Sequence, residues 1–287
     1  MDGDGGGRVA TLASQRVVLL RGHQFRGGHQ LRGGRVGAAV TTAVPPLTPN
    51  AWLRWGLIRR ALRGVPRRAK VLEVGTGQGA MGARLARRFD YLGVELDADA
   101  AELAVARIRP AGGRVLVGDA LPLTAGRRFD VVCAFEVLEH LEDDAAALAA
   151  WIARVERGGR VVLSVPQGPE RFGPWDAAVG HLRRYSPQQL GDLVWGAGLE
   201  DVRVWTYGFP LGYLLEAVRD RVAARSLEGH TPTAAEGTAR SGRWLQPSRL
   251  GWATALGTLP FRLLQRPFAR TRLGTGLVAT ARVGPRG

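Results

Sequence analysis

The sequence is short of cysteine, of lysine and of long apolar runs, and each shortage removes an explanation. Cys133 is the only cysteine among 287 residues, so neither an intrachain disulfide nor a cysteine-built zinc site is available. A reducing, cytoplasmic setting is the expectation. Lys70 is the only lysine, so the formal charge of +15 is carried almost wholly by arginine. Most of that excess falls before residue 46 or after residue 207, which points to compositional bias more than to a nucleic-acid surface on the central part of the chain. No uninterrupted apolar run approaches the length of a membrane span, and Val17 to Leu20 is too short for a signal-peptide core.

What the chain does have is a stretch around which the rest is arranged, Val71 to Gly79, VLEVGTGQG. A short apolar strand runs into glycines at alternate positions, Gly75, Gly77 and Gly79, ahead of a helical pattern over Ala80 to Phe89. Glycine admits positive φ and removes the Cβ, so a ligand can lie against bare backbone near a helix N-terminus. The G-x-G-x-G spacing is one residue tighter than the dinucleotide fingerprint G-x-G-x-x-G. Glu73, two residues before the first glycine, suits a ligand with a cationic end better than a pyrophosphate.

Residues 1–45 are Gly- and Arg-rich, with repeated RGH and RGG fragments and no periodicity. A disordered basic leader is expected there, with an RNA-binding arm as the functional alternative. Thr48-Pro49 starts a helix, and strands and helices then alternate: strands at Lys70 to Val74, Tyr91 to Glu95, Val115 to Val117, Val131 to Phe135 and Arg160 to Val165, with helices at Ala98 to Ile108 and Asp143 to Val155. Ser186-Pro187-Gln188-Gln189 is a capping box opening another helix. Strands at Val202 to Tyr207 and Gly276 to Val283 follow, separated by an insertion over 208–273. Continuous apolar strands between amphipathic helices predict an α/β fold with a mostly parallel sheet covered on both faces.

Together these residues resemble the class I S-adenosylmethionine-dependent methyltransferase family, over Thr48 to Val283 without the insertion. Four motifs carry the resemblance: Glu73 to Gly79, Gly93-Val94-Glu95-Leu96-Asp97, Gly118-Asp119-Ala120, and Phe135-Glu136-Val137-Leu138-Glu139-His140. The resemblance implies a Rossmann-like seven-stranded sheet with the last strand antiparallel, and S-adenosyl-L-methionine as methyl donor. It implies a cofactor site built from Glu73, Gly75, Thr76, Gly77, Gly79, Glu95, Leu96, Asp119, Ala120 and Phe135. Glu95 would accept from the ribose hydroxyls and Asp119 from the adenine amino group.

Transfer to a hydroxyl also needs something to take or weaken its proton. Glu136, His140 and His181 are the catalytic candidates. The E-x-x-E-H pattern with a later histidine is similar to that of the small-RNA 2′-O-methyltransferases and the ubiquinone-pathway O-methyltransferases, which implies a divalent metal on Glu136, Glu139, His140 and His181. A hydrogen-bonded crevice histidine without metal is the plainer alternative. Arg183, Arg184 and Tyr185 are expected on the acceptor side, the alternative being a hinge paired with Asp176. Residues 252–268, apolar with arginines and no acid, read either as a packed lid or as a peripheral contact with anionic lipid. The reading is O-methylation of a small-molecule or lipid- or sugar-linked acceptor. An RNA methyltransferase and a non-catalytic S-adenosylmethionine-binding protein are the alternatives.

Overall fold

The structure, a computed structural model, describes residues 45–227 and 251–284. The leader up to residue 44 and the polar stretch expected over Gly229 to Gly242 lie outside the described residues. Helix α1 (Pro49–Ala61) starts as its sequence dictates, with Thr48 Oγ1 accepting the Ala51 amide at 3.3 Å and proline at the first position. A seven-stranded sheet follows, made of β1 (Lys70–Val74), β2 (Asp90–Glu95), β3 (Arg114–Val117), β4 (Phe129–Phe135), β5 (Val155–Pro166), β6 (Leu199–Tyr207) and β7 (Gly276–Val283). Its order is β3-β2-β1-β4-β5-β7-β6, with β7 antiparallel to both β5 and β6 and the other pairs parallel.

Strand alternation sends successive side chains to opposite faces, which builds two cores. Val71, Tyr91, Val131, Cys133 and Val162 pack with Leu53 and Ile58 of α1, Leu85 of α2 (Gly82–Ala86), and Ala104 and Ile108 of α3 (Ala98–Ile108). Leu72, Leu92, Val132, Ala134 and Leu163 pack on the other face with Leu148 and Trp151 of α5 (Asp144–Ile152), and Leu190 and Val194 of α7 (Pro187–Gly196). Short helices α4 (Ala120–Leu123) and α6 (Pro174–Val179) follow β3 and β5. Between β6 and β7 come α8 (Leu211–Leu227) and the helices Gly251–Gly257 and Leu259–Leu264.

Several expected elements differ in extent: β4 and β6 start two and three residues early, at Phe129 and Leu199, and the helix expected over Asp143 to Val155 ends at Ile152. The helix expected over Ala80 to Phe89 is only α2, because its first residues form the turn in which the Gly79 amide bonds Thr76 O at 3.0 Å. Gly79 packs so tightly on α3 that a Cβ there would lie 2.8 Å from Ala104 Cα. Strand β5 begins earlier than Arg160, since Glu156 to Gly159 carry no apolar alternation to announce a strand.

Candidate active site

The C-terminal ends of β1, β2 and β4 meet where open α/β sheets bind ligands. The glycine loop turns over β1 with φ of +69°, +54° and +80° at Gly75, Gly77 and Gly79. Gly75 and Thr76 donate to Val94 O at 2.9 and 3.1 Å, and Gly77 donates to Glu95 Oε2 at 2.6 Å. A Cβ on Gly77 would meet nothing within 4 Å, so bare backbone faces open space there, as a ligand cradle requires. On Gly75 a Cβ would run into Val137 of the fourth motif at 2.5 Å, which ties the two motifs sterically.

The other cofactor candidates divide by depth. Glu95 lies at the end of β2, its Oε1 accepting the Asp97 amide at 3.1 Å, and Leu96 beside it is 74 % exposed. Asp119 caps α4 through a 3.0 Å bond from the Leu121 amide, with Ala120 buried behind it. Phe135 packs its ring into the core. Glu73 is buried rather than turned to the loop's open side. Tyr91 donates to its Oε2 at 2.5 Å and shares a 2.6 Å hydrogen bond with Thr76.

Burial pushes the Glu73 carboxyl up to about 8, against the opposing pull of the Tyr91 hydrogen bond and Arg54. A carboxyl raised in the folded state contributes stability that is present below its unfolded value and lost as pH rises through about 8. The unfolding free energy should therefore fall by up to about 1.4 kcal/mol per pH unit through neutrality from this group alone. Urea titrations at pH 5 to 9 should show a flatter profile for Glu73→Gln than for the wild type. Identical slopes would remove this role.

Across the crevice stands the fourth motif. Glu136 sits at the end of β4 with φ +58°, a left-handed conformation uncommon for a non-glycine residue. Arg54 of α1 pairs with its Oε1 at 2.7 Å, and Ser164 of β5 donates to the same oxygen at 3.0 Å. Burial opposes its charge, yet Arg54, then His181, Ser164 and Arg219, hold the Glu136 carboxyl below its usual range. Neither Arg54 nor Ser164 was named from sequence; one arginine among many on an amphipathic helix carries no local signal.

Glu139, His140 and His181 converge, one ligand atom from each lying within 4.8 Å of the others. Glu139 is fully buried and neither of its oxygens has a hydrogen-bond partner among the described residues. Burial, then the charge of Glu136, push its carboxyl well up. His140 Nδ1 bonds Gly180 O at 3.0 Å, and His181 Nδ1 bonds Asp176 Oδ1 at 2.7 Å. Both rings thus spend Nδ1 on an outer partner, and neither Nε2 makes a hydrogen bond among the described residues, with His181 Nε2 at 3.8 Å from Glu139. Burial, then His181, lower His140 to about 4, so its ring is neutral at pH 7. Glu136 is not part of this cluster; its carboxylate is committed to Arg54 and Ser164.

The arginines after His181 are not turned to an acceptor. Arg184 pairs with Asp176 at 2.6 Å and with Glu216 of α8. Arg183 pairs with Asp144 at 3.1 Å, and the Tyr185 hydroxyl donates to the same residue at 2.7 Å. Of the three, only Arg184 meets Asp176, the partner the hinge alternative named; Arg183 and Tyr185 meet Asp144 instead. A depression lined by Lys70, Asp90, Arg114 and Phe129 lies at the opposite, N-terminal edge of the strands, away from all these groups.

A family model described as a methyltransferase domain matches residues 52–204. The chain belongs to the class I S-adenosylmethionine-dependent methyltransferases. Curated relatives include ubiquinone biosynthesis O-methyltransferases of Stutzerimonas stutzeri (strain A1501), 32% identical over 110 residues, and of Azotobacter vinelandii (strain DJ), 37% identical over 110 residues. Each match covers 36% of this chain and 47% of the relative, so the methyltransferase spans about half the length of these relatives. Among solved structures, Haemonchus contortus phosphoethanolamine N-methyltransferase 2 has a TM-score of 0.53 at 18% identity, over 86% of this chain and 55% of that one. An S-adenosylmethionine-dependent methyltransferase from Archaeoglobus fulgidus has a TM-score of 0.50 at 13% identity, over 79% and 91%. At those identities the two structures speak for the fold alone. Among the described residues no helix is long and apolar enough to cross a membrane.

Proposed function

We propose that this methyltransferase transfers the methyl group of S-adenosyl-L-methionine to a hydroxyl oxygen of a small-molecule or lipid- or sugar-linked acceptor, in the cytoplasm. The observation that carries the reading is the convergence of Glu139, His140 and His181 across the crevice from the Gly75 to Gly79 loop, with both imidazole Nδ1 atoms engaged outward. The sulfonium is already activated, so placement of the acceptor in line with it supplies much of the acceleration. What remains is the acceptor proton, and a free Nε2 is the group able to take it.

Glu139 with its two unpartnered oxygens, together with His140 and His181, also fits a divalent cation, and these three residues would hold it. Such an ion would lower the pKa of an acceptor hydroxyl. The relatives' name as O-methyltransferases supports the same atom as acceptor. The RNA alternative rests on a leader outside the described residues and on the E-x-x-E-H and His181 pattern, which serves a small-molecule hydroxyl equally, and is not adopted. Radiolabelled methyl transfer from S-adenosylmethionine into a cell extract, followed by identification of the product, tests the reading. A labelled nitrogen, carbon or RNA product, or tight S-adenosylhomocysteine binding without turnover, would overturn it.

A second reading concerns how the acceptor is reached, and a specific surface favours it. The inner side of the helices Gly251–Gly257 and Leu259–Leu264 packs as a lid on α1. Phe261 lies against the core there, and Gln265, just past the second helix, donates to Leu53 O at 2.8 Å. Their outer side leaves Trp252 68 % and Leu256 59 % exposed, with Leu259 and Leu263 following at helical intervals. Arg262 lies close enough to Arg59 and Arg266 to be depressed by them after burial, and neither helix contains an acid. Apolar groups rimmed by arginine suit an anionic lipid surface. Flotation with phosphatidylglycerol vesicles at low salt should carry the protein up, phosphatidylcholine vesicles should not, and Leu256→Asp with Leu263→Asp should abolish it. Absence of flotation on anionic vesicles would dispose of this reading.

A further inference from the structure

The walls of the crevice hold a guanidinium that no acid pairs among the described residues. Helix α8 packs on α6, and the guanidinium of Arg219 lies over the Trp175 ring, 5.4 Å from its centroid. Glu136 and Glu216, the acids whose charge reaches it, are already engaged, and the unpartnered Glu139 faces His181 instead. Glu216, three residues earlier, takes Arg184 and, at 3.3 Å, Arg171. Asp176 takes Arg184 and His181, Glu136 takes Arg54, and Asp220 accepts the Trp175 amide at 3.2 Å. Arg219 itself makes no hydrogen bond or ion pair among the described residues, and its Nε is buried without a partner. A desolvated guanidinium is costly to leave so, and the aromatic face compensates only part of that cost.

Its position is the second observation. Arg219 is near enough to Glu136, at the end of β4, and to Tyr207, at the end of β6, for its charge to act on both. Those strand ends form the floor of the crevice in which the acceptor hydroxyl must lie. Arginine's planar fork matches a carboxylate or phosphate in two parallel hydrogen bonds. We propose that Arg219 receives an oxyanion carried by the methyl acceptor, a carboxylate or a phosphate, with Trp175 as the apolar wall beneath it. The acceptor class is then a hydroxylated acid or phosphate ester, with the anion anchored on the insertion and the hydroxyl presented at the His140 and His181 side.

The inference rests on the methyltransferase reading of the crevice, and its test separates the two. Intact protein saturated with S-adenosylhomocysteine is titrated calorimetrically with benzoate and with inorganic phosphate, the stronger binder identifying the anion class. Saturable binding is expected, weakened roughly thirtyfold or more by Arg219→Ala and less by Arg219→Lys, with S-adenosylhomocysteine affinity unchanged. Arg59→Ala, on the outer surface, should leave anion binding alone. No saturable binding, equal binding to wild type and Arg219→Ala, or equal loss in Arg59→Ala would overturn the inference. Should Arg219→Ala fail to fold, the same comparison with Arg219→Gln decides. Anion binding at Arg219 with no methyl transfer to any acceptor would sink the activity and leave the site standing.

Discussion

His181→Ala should lower kcat for methyl transfer by about 10²- to 10⁴-fold, the range spanned by loss of a positioned proton acceptor. S-adenosylhomocysteine affinity should stay within about twofold, because the candidate cofactor groups, Phe135 of β4 aside, follow β1 to β3 and the histidine lies in the loop after β5. The imidazole is held by Asp176 at 2.7 Å on one side and approaches the buried, unpartnered Glu139 on the other. His140→Ala should behave alike, since its Nδ1 is fixed in the same manner by Gly180 O. Chelation separates the two chemistries that this arrangement allows. If the three side chains hold a divalent ion, EDTA should reproduce the His181→Ala loss in the wild type, with recovery on adding Mg²⁺, Mn²⁺ or Zn²⁺. Insensitivity of the wild type to EDTA, with the variant still impaired, assigns the histidines to proton transfer alone. A kcat for His181→Ala within about threefold of wild type would remove both roles.

How much of this was legible in the sequence varies with the range of the interaction. The glycine loop was readable because positive φ selects glycine, and the acids Glu95 and Asp119 were readable through the motifs that place a carboxylate just at or after the ends of β2 and β3. Strand β7 falls on the expected residues, its apolar run being bounded by glycine at each end. Contacts across the fold left no such trace. Arg54 reaches Ser164 over a separation of 110 residues, and nothing in α1 distinguishes that arginine from Arg59 or Arg60. Glu73 was legible as a motif acid but not as the partner of Tyr91, since which carboxylate oxygen is buried depends on the register that sets Val71 beside Tyr91. The same holds for Arg184: expected to meet an acceptor, it is consumed by Asp176 and Glu216, the second contributed by an insertion whose docking no local pattern predicts.

Asp176→Ala carries the largest expected stability effect, because one fully buried carboxylate serves four donors. It accepts from His181 Nδ1, from Arg184 Nε at 2.8 Å and Nη2 at 2.6 Å, and from the Gly173 amide at 2.9 Å, which closes the N-terminus of α6. Burial alone would raise its pKa, but the hydrogen bonds from His181 and Arg184 bring it down to about 2. The depressed carboxyl contributes stability above its unfolded value, and that contribution is lost as pH falls through about 2. Truncation leaves Arg184 buried against Glu216 alone, a loss of about 3 to 5 kcal/mol for breaking a buried ion pair. At roughly 2 to 4 °C per kcal/mol for a domain of this size, the melting temperature should drop by on the order of 10 °C. The variant should also lose activity beyond what its stability explains, because His181 loses the partner that fixes its tautomer. Adding Arg184→Met should recover part of the melting temperature by removing the uncompensated charge, and none of the activity. Recovery of activity in the double variant would show that Asp176 acts only through Arg184, and the link from Asp176 to the His181 imidazole would then have to be abandoned.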